Sequence, residues 1–184
     1  DSDFVFNISS ACDQILFKKP SSNIINSDFG YLGEFILYSG AADPRKNLKN
    51  LFNAYSLLDQ SLIIKHKLVL AGKISQEEED MIRIWMKNFQ LPNDCIEFLG
   101  YVSDHQLAQL YRECFLFVFP SFHEGFGLPA LEAMSCGAAV IGSNTTSVPE
   151  VIGYDNALFD PNDVKDISNK IYLSLTDISF YKKL

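Results

Sequence analysis

At 184 residues, with 47% hydrophobic and 13% aromatic side chains, the chain has the material for one packed domain and is unlike a disordered segment. A formal net charge of -8 argues against a broad nucleic-acid footprint, so its few clustered cations become informative. No apolar run approaches the roughly 18 residues of a membrane-spanning helix, and no cleavable signal pattern is read at the start.

Residues 1–33 set the apolar groups FVF and ILF among Ser, Asn and Asp, and KKPSSN reads as a loop. This stretch is read as a linker or edge segment. A short extra hairpin and the remnant of a neighbouring domain both remain open. From residue 34 to 184 a regular grammar takes over. Strands are expected at Glu34–Ser39, His66–Gly72, Cys95–Gly100, Cys114–Ser121 and Ala138–Ser143. Between them helices are expected near Lys46–Asp59, Gln76–Phe89, Asp104–Arg112 and Pro129–Cys136, and a last one near Val164–Leu175. Strands separated by helical crossovers imply an α/β fold: a Rossmann-like parallel sheet flanked by helices. The continuous FLFVF run suits a central strand covered on both faces.

Cys12, Cys95, Cys114 and Cys136 form no CxxC pair and no metal-ligand spacing, which is compatible with ordinary thiols in a reducing cytosol. His66 and His105 have no visible partners, and neither supports a metal site.

Ligands of open parallel sheets sit beyond the carboxyl ends of the strands. Two such ends stand out. After the first strand comes SGAADPRKNLKNL, in which Gly40 permits a tight exit and Arg45 and Lys46 fall at or near the start of the next helix. Helix-start amides and two cations favour an anion there; the plain alternative is a solvated basic turn. After the fourth strand comes HEGFGLPALEAMSCG. Gly125 and Gly127 let the backbone turn or approach a ligand closely, Pro129 suits a first helical turn, and Gly137 suits the position past its end. Glu132, about one turn into that helix, can accept hydrogen bonds from ribose hydroxyls, whereas its plain role is a solvent-facing, dipole-favouring carboxylate. Glu124 precedes the glycines, where it can meet a sugar hydroxyl. His123 beside it is more simply a surface residue.

Glu124 and Glu132, with seven residues between them, resemble the paired-glutamate motif of the retaining glycosyltransferases of family 4. YSGAADPRKNLKNLFNAY and SNTTSVPEVIGYDNALFDPNDV resemble that family's segments before and after the motif, in the same order, across roughly Phe35 to Ile171. The resemblance implies a GT-B architecture, two Rossmann-like domains facing across a cleft, of which this chain is the C-terminal, donor-binding half. It implies a nucleotide diphosphate sugar as substrate, with a GDP-sugar favoured by the PRKN sequence, and no cofactor or metal. Arg45 and Lys46 are implied to contact the diphosphate, Glu132 to hold the ribose and Glu124 to lie by the transferred sugar. Glu124, Lys46 and Arg45 thus form the implied catalytic set. Gly40 and Gly125 are implied to belong to the donor-binding loops, and the amides of Phe126, Gly127 and Leu128 to help bind sugar and phosphate. Many members of that family carry Arg directly after the first glycine; here that place is Ala41, with Arg45 the candidate to supply its charge.

The implied reaction is sugar transfer to an acceptor hydroxyl. A glycan or lipid-linked acceptor is held by an N-terminal domain outside these residues. A cytoplasmic protein is expected, with peripheral membrane association of the full-length enzyme in keeping with such an acceptor. A nucleotide-sugar epimerase of the same architecture and a non-catalytic nucleotide-binding module are the alternatives, because fold does not fix function.

Overall fold

A computed structural model of the chain describes residues 12–13, 15–19 and 28–184. Its frame is a six-stranded sheet in the order β3-β2-β1-β4-β5-β6, every neighbouring pair parallel. The strands are β1 Phe35–Ser39, β2 Lys67–Ala71, β3 Ile96–Gly100, β4 Leu116–Phe119, β5 Val140–Ser143 and β6 Leu158–Phe159. The helices are α1 Leu48–Ser56, α2 Gln60–Lys65, α3 Gln76–Asn88, α4 Asp104–Glu113, α5 Leu128–Cys136, α6 Val148–Ile152, α7 Val164–Thr176 and α8 Ile178–Tyr181.

Every residue of β1, β4 and β5 is buried, as expected of strands covered on both faces, whereas the edge strand β3 is mostly half-exposed. The covering helices fall into two groups: α1 packs against α3 and α7, and α5 against α4 and α6. Their ends are set locally. Ser75 with Glu78 and Ser103 with Gln106 form capping boxes at α3 and α4, and Asp163 caps α7 by accepting from two backbone amides. α5 starts after Gly127 and ends before Gly137, both left-handed (φ 96° and 89°), which only glycine adopts without strain.

Two expectations need correction. The helix expected at Lys46–Asp59 starts later and ends earlier: a 3-10 turn at Pro44–Lys46 precedes α1, and a separate helix, α2, follows beyond Asp59. Asp43 accepts a bond from the Arg45 amide to close the turn, and Asn47 at φ 59° is left-handed, so the helix cannot run through it. Arg45 and Lys46 therefore lie in the turn before the helix. Strand β6 and the short helices α6 and α8 were not expected at all.

Part of the N-terminal stretch packs on the domain. Phe17 and Phe29 are buried in the core, the Phe17 ring lies 6.1 Å from that of Tyr111, and Arg112 donates to the carbonyls of Leu16 and Lys18. At the opposite edge of the sheet from the glycine loops, His66 is fully buried. Its ring lies 4.9 Å from Phe115, and neither nitrogen makes a hydrogen bond.

Candidate active site

The strand order reverses direction between β1 and β4, and the loops leaving these neighbours run to different helix layers. This is the crevice in which open α/β sheets bind ligands. The loop after β1 is held down at several points. The Gly40 amide donates to Ala71 O (2.9 Å), the Gly72 amide to Gly100 O (2.8 Å), and the Tyr38 hydroxyl to Ala41 O (2.7 Å). The two strand exits touch so closely that a Cβ on Gly72 would lie 2.1 Å from Gly40 O. Asn47 is the centre of the arrangement. Its buried carboxamide donates to Pro120 O (3.0 Å) and Pro161 O (2.8 Å), joining the exits of β1, β4 and β6.

Within this frame the two cations take different partners. The Arg45 guanidinium turns back to Asp43, with Nε and Nη2 each 3.0 Å from a carboxylate oxygen, and stays 71% exposed. The same guanidinium holds the Asp43 carboxyl below the usual carboxylate range. Lys46 crosses the crevice instead: its Nζ lies 2.7 Å from Glu124 Oε1, with the side chains only 24% and 13% exposed. The ammonium also stands 5.8 Å over the Phe119 ring.

The loop carrying Glu124 is clamped from both sides. The Phe122 amide donates to Arg45 O (2.8 Å). From the segment after β5, Thr145 Oγ1 donates to Phe122 O (3.1 Å) and Ser147 Oγ to Glu124 O (3.3 Å), while the Glu124 amide donates to Thr146 Oγ1 (3.2 Å). Beyond it come exposed Gly125, half-buried Phe126, buried Gly127 and Leu128, the first residue of α5. Pro129 has no N–H and the Ala130 amide donates to Gly127 O (3.0 Å), so the α5 start offers the Leu128 amide and the positive end of its dipole beside Glu124.

Glu132 lies farther along α5 and is half-buried. Burial raises its carboxyl pKa, opposed by the Tyr111 hydroxyl, which lies 3.4 Å from Oε2. Tyr111 in turn shares a 2.9 Å hydrogen bond with Ser39 Oγ, so the end of β1 and the α5 carboxylate belong to one polar chain. His123 is exposed. Among the described residues, no group of three or more His, Cys, Asp or Glu side chains could hold a metal ion.

Asn47, Tyr111 and the Thr145–Ser147 clamp escaped sequence reasoning. The last had a signal: three hydroxyl residues in a row, one residue past a strand whose carboxyl end lies on the ligand edge.

An all-parallel sheet of this order, with a cation and a carboxylate facing across its switch point, defines the Rossmann-like unit that forms one half of a GT-B architecture. Residues 32–184 match the family described as Glycosyl transferases group 1, and the chain belongs to it. It is 44% identical over its whole length to the serotype-specific mannosyltransferase WbdA of Escherichia coli, covering 23% of that protein. Over 79% of its length it is 44% identical to O-antigen chain mannosyltransferase B of Escherichia coli, covering 38% of that protein. The chain thus spans well under half of these relatives. Among solved structures, sucrose-phosphate synthase from Thermosynechococcus elongatus superposes with a TM-score of 0.77 at 25% identity, over 92% of this chain and 43% of that one. The C-terminal domain of a glycosyl transferase group 1 protein from Francisella tularensis gives 0.75 at 22% identity, over 92% and 90% of the two chains. Anabaena HepE, solved with UDP and glucose, gives 0.76 at 22% identity over 92% and 47%. Among the described residues no helix is long and apolar enough to cross a membrane.

Proposed function

We propose that the chain is the donor-binding half of a retaining glycosyltransferase that moves a sugar from a nucleotide diphosphate sugar to an acceptor hydroxyl. The single observation that carries this reading is the Lys46–Glu124 pair at the switch point, beside the start of α5. The two mannosyltransferase relatives favour a mannosyl donor, and the PRKN sequence favours a GDP-sugar.

In the structure each cation is already paired, Arg45 with Asp43 and Lys46 with Glu124. An arriving diphosphate competes with those carboxylates. Lys46 exchanges the Glu124 oxygen for a phosphate oxygen, and the released carboxylate accepts a hydrogen bond from the transferred sugar. Arg45 makes the same exchange from its exposed position. The amides of Phe126, Gly127 and Leu128 face the diphosphate at the α5 dipole, and Glu132 accepts from the ribose hydroxyls. As the glycosidic bond breaks, negative charge grows on the leaving diphosphate, where fixed cations and amides lower the barrier most. These groups supply the charge stabilisation for which a divalent metal is otherwise used, so the reaction is proposed to run without one. The acceptor, a glycan or a lipid-linked glycan, is held chiefly by a domain outside these residues. Transfer needs both substrates in near-attack geometry, so this chain alone binds donor but transfers little. We propose that the full-length enzyme works in the cytoplasm, at the membrane when its acceptor is lipid-linked.

Calorimetry with GDP, UDP and ADP, with and without EDTA, is the test. The expected result is saturable binding of at least one nucleotide that EDTA leaves unchanged. Folded protein that binds none of them would overturn the reading, and binding abolished by EDTA would overturn its metal independence.

A further inference from the structure

A cavity of about 290 Å³ opens beside the candidate site, between the loop after β1, the start of α1 and the exposed flank of α3. Trp85 and Met81 come to it from α3, Phe122 from the loop after β4, and Asp43, Lys49 and Asn50 from around the start of α1. We propose that it is a saccharide subsite, holding a sugar ring of the acceptor glycan against the donor half; this rests on the glycosyl-transfer reading above.

Size and chemistry point the same way. The volume lies just under the roughly 300–1,000 Å³ common for small-molecule sites, which suits a sugar ring. A pyranose has a face rich in C–H groups and a rim of hydroxyls. It needs an apolar, aromatic floor with a few polar groups at the edge, and this cavity provides both. The Trp85 indole is fixed edge-on to Phe52, with ring centroids 6.2 Å apart. Asn50 spends its Nδ2 on Pro161 O (3.0 Å), which orients the carboxamide and leaves its Oδ1 as an acceptor. Lys49 is exposed and has no carboxylate partner among the described residues. A lipid tail would strip water from Lys49 and Asn50 without replacing their hydrogen bonds. A phosphate would meet the Asp43 carboxylate.

The cavity also communicates with the chemistry. Phe122 forms part of its wall, bonds through its amide to Arg45 O (2.8 Å), and precedes Glu124 by two residues. A ring seated against Phe122 therefore settles the loop that positions Glu124.

Trp85 is the only tryptophan of the chain, so its emission reports on this cavity alone. The chain is titrated with α-linked mannotriose and, separately, with GDP, following Trp85 fluorescence and saturation-transfer NMR of the ligand. The expected result is a saturable change in emission with mannotriose that persists in saturating GDP. Lys49→Ala, at an exposed position where folding is not at risk, weakens the saccharide at least threefold and leaves GDP affinity unchanged. Trp85→Leu, read by NMR, weakens it tenfold or more. No saturable response to mannotriose while GDP still binds would overturn the subsite and leave the transfer reading intact. Competition between GDP and mannotriose would overturn it too, by assigning the cavity to the donor. Saccharide binding without any nucleotide binding would overturn the transfer reading and the acceptor role with it.

Discussion

Replacing Lys46 by Met removes the ammonium and keeps most of the stem over Phe119. The ion pair it breaks is short, 2.7 Å, and largely shielded, with side-chain exposures of 24% and 13%. At an effective dielectric of about 20 the bare attraction at that distance is about 6 kcal/mol, most of which is offset by the desolvation of both groups. Exposed pairs net about 0–1 kcal/mol, and breaking a fully buried one costs about 3–5. This intermediate pair should be worth about 1.5–3 kcal/mol, the range for hydrogen bonds to charged groups. Because the loss leaves the Glu124 carboxylate without its cation, Lys46→Met should lower Tm by roughly 3–12 °C for a chain of this size. Adding Glu124→Gln should recover part of it. Thermal or urea unfolding of the two single variants and the double variant closes the cycle. The same variants separate stability from binding. Lys46→Met should weaken GDP by roughly 10–100-fold, the equivalent of the same 1.5–3 kcal/mol. Glu124→Gln, which frees Lys46 from its competitor, should leave GDP affinity equal or higher and lower affinity for the sugar nucleotide. A coupling below about 0.5 kcal/mol would show that the pair does not hold in solution. Weaker GDP binding by Glu124→Gln would refute the exchange of partners.

Three further outcomes follow from particular atoms. Glu132→Gln should weaken the nucleotide itself; and because burial raises the carboxyl pKa, wild-type affinity should fall on acidification at a higher pH than for an ordinary carboxylate, a dependence the variant lacks in calorimetry across pH 4–8. Burial lowers the folded-state pKa of His66, with Lys65 adding to the shift and Glu34 opposing it. The unfolded chain therefore takes up its proton first, and stability should drop as pH falls below about 6.5 toward the lower folded value. His66→Phe should flatten that limb of a urea-denaturation series. Gly72→Ala puts a Cβ 2.1 Å from Gly40 O at a φ of +150°, so the exits of β1 and β2 must separate. A loss of at least about 2 kcal/mol, on the order of 4–8 °C in Tm, is expected from calorimetric scans.

Much of the frame was legible because burial on both faces leaves a plain mark. LFVF read as an interior strand without knowledge of its neighbours, FILYS read as a strand, and Pro129 with Gly137 bracketed α5 almost to the residue. β6 was not legible: two residues of pairing carry no periodic signal. The break before α1 was hidden because NLKNL has ordinary helical composition. It depends on the left-handed Asn47, whose conformation is secured by carbonyls that lie 73 and 114 residues away in sequence. The site shows the same division. Arg45 and Lys46 are equivalent in sequence as adjacent cations beside a glycine exit. The 3-10 turn separates them, returning Arg45 to Asp43 two residues back and sending Lys46 to Glu124, 78 residues on. No local pattern encodes that choice, because it is made by the pairing of β1 with β4.

The carboxamide of Asn47 has a consequence for anyone who recombines such proteins. With its two donor bonds it fixes the carbonyls of Pro120 and Pro161, so the ends of β1, β4 and β6 share one fastening. Aspartate at this position would confront the same two carbonyls with an acceptor-only group, and leucine would take this donor from Pro120 O and leave Pro161 O to Asn50 alone. The three loops are therefore not independent cassettes. A chimera that imports another protein's 120–128 loop to alter sugar preference inherits its geometry only if the graft returns a carbonyl to the place Asn47 reaches. Shuffling whole carboxyl-edge sets, cut within the strands and not at their ends, is the exchange this construction tolerates.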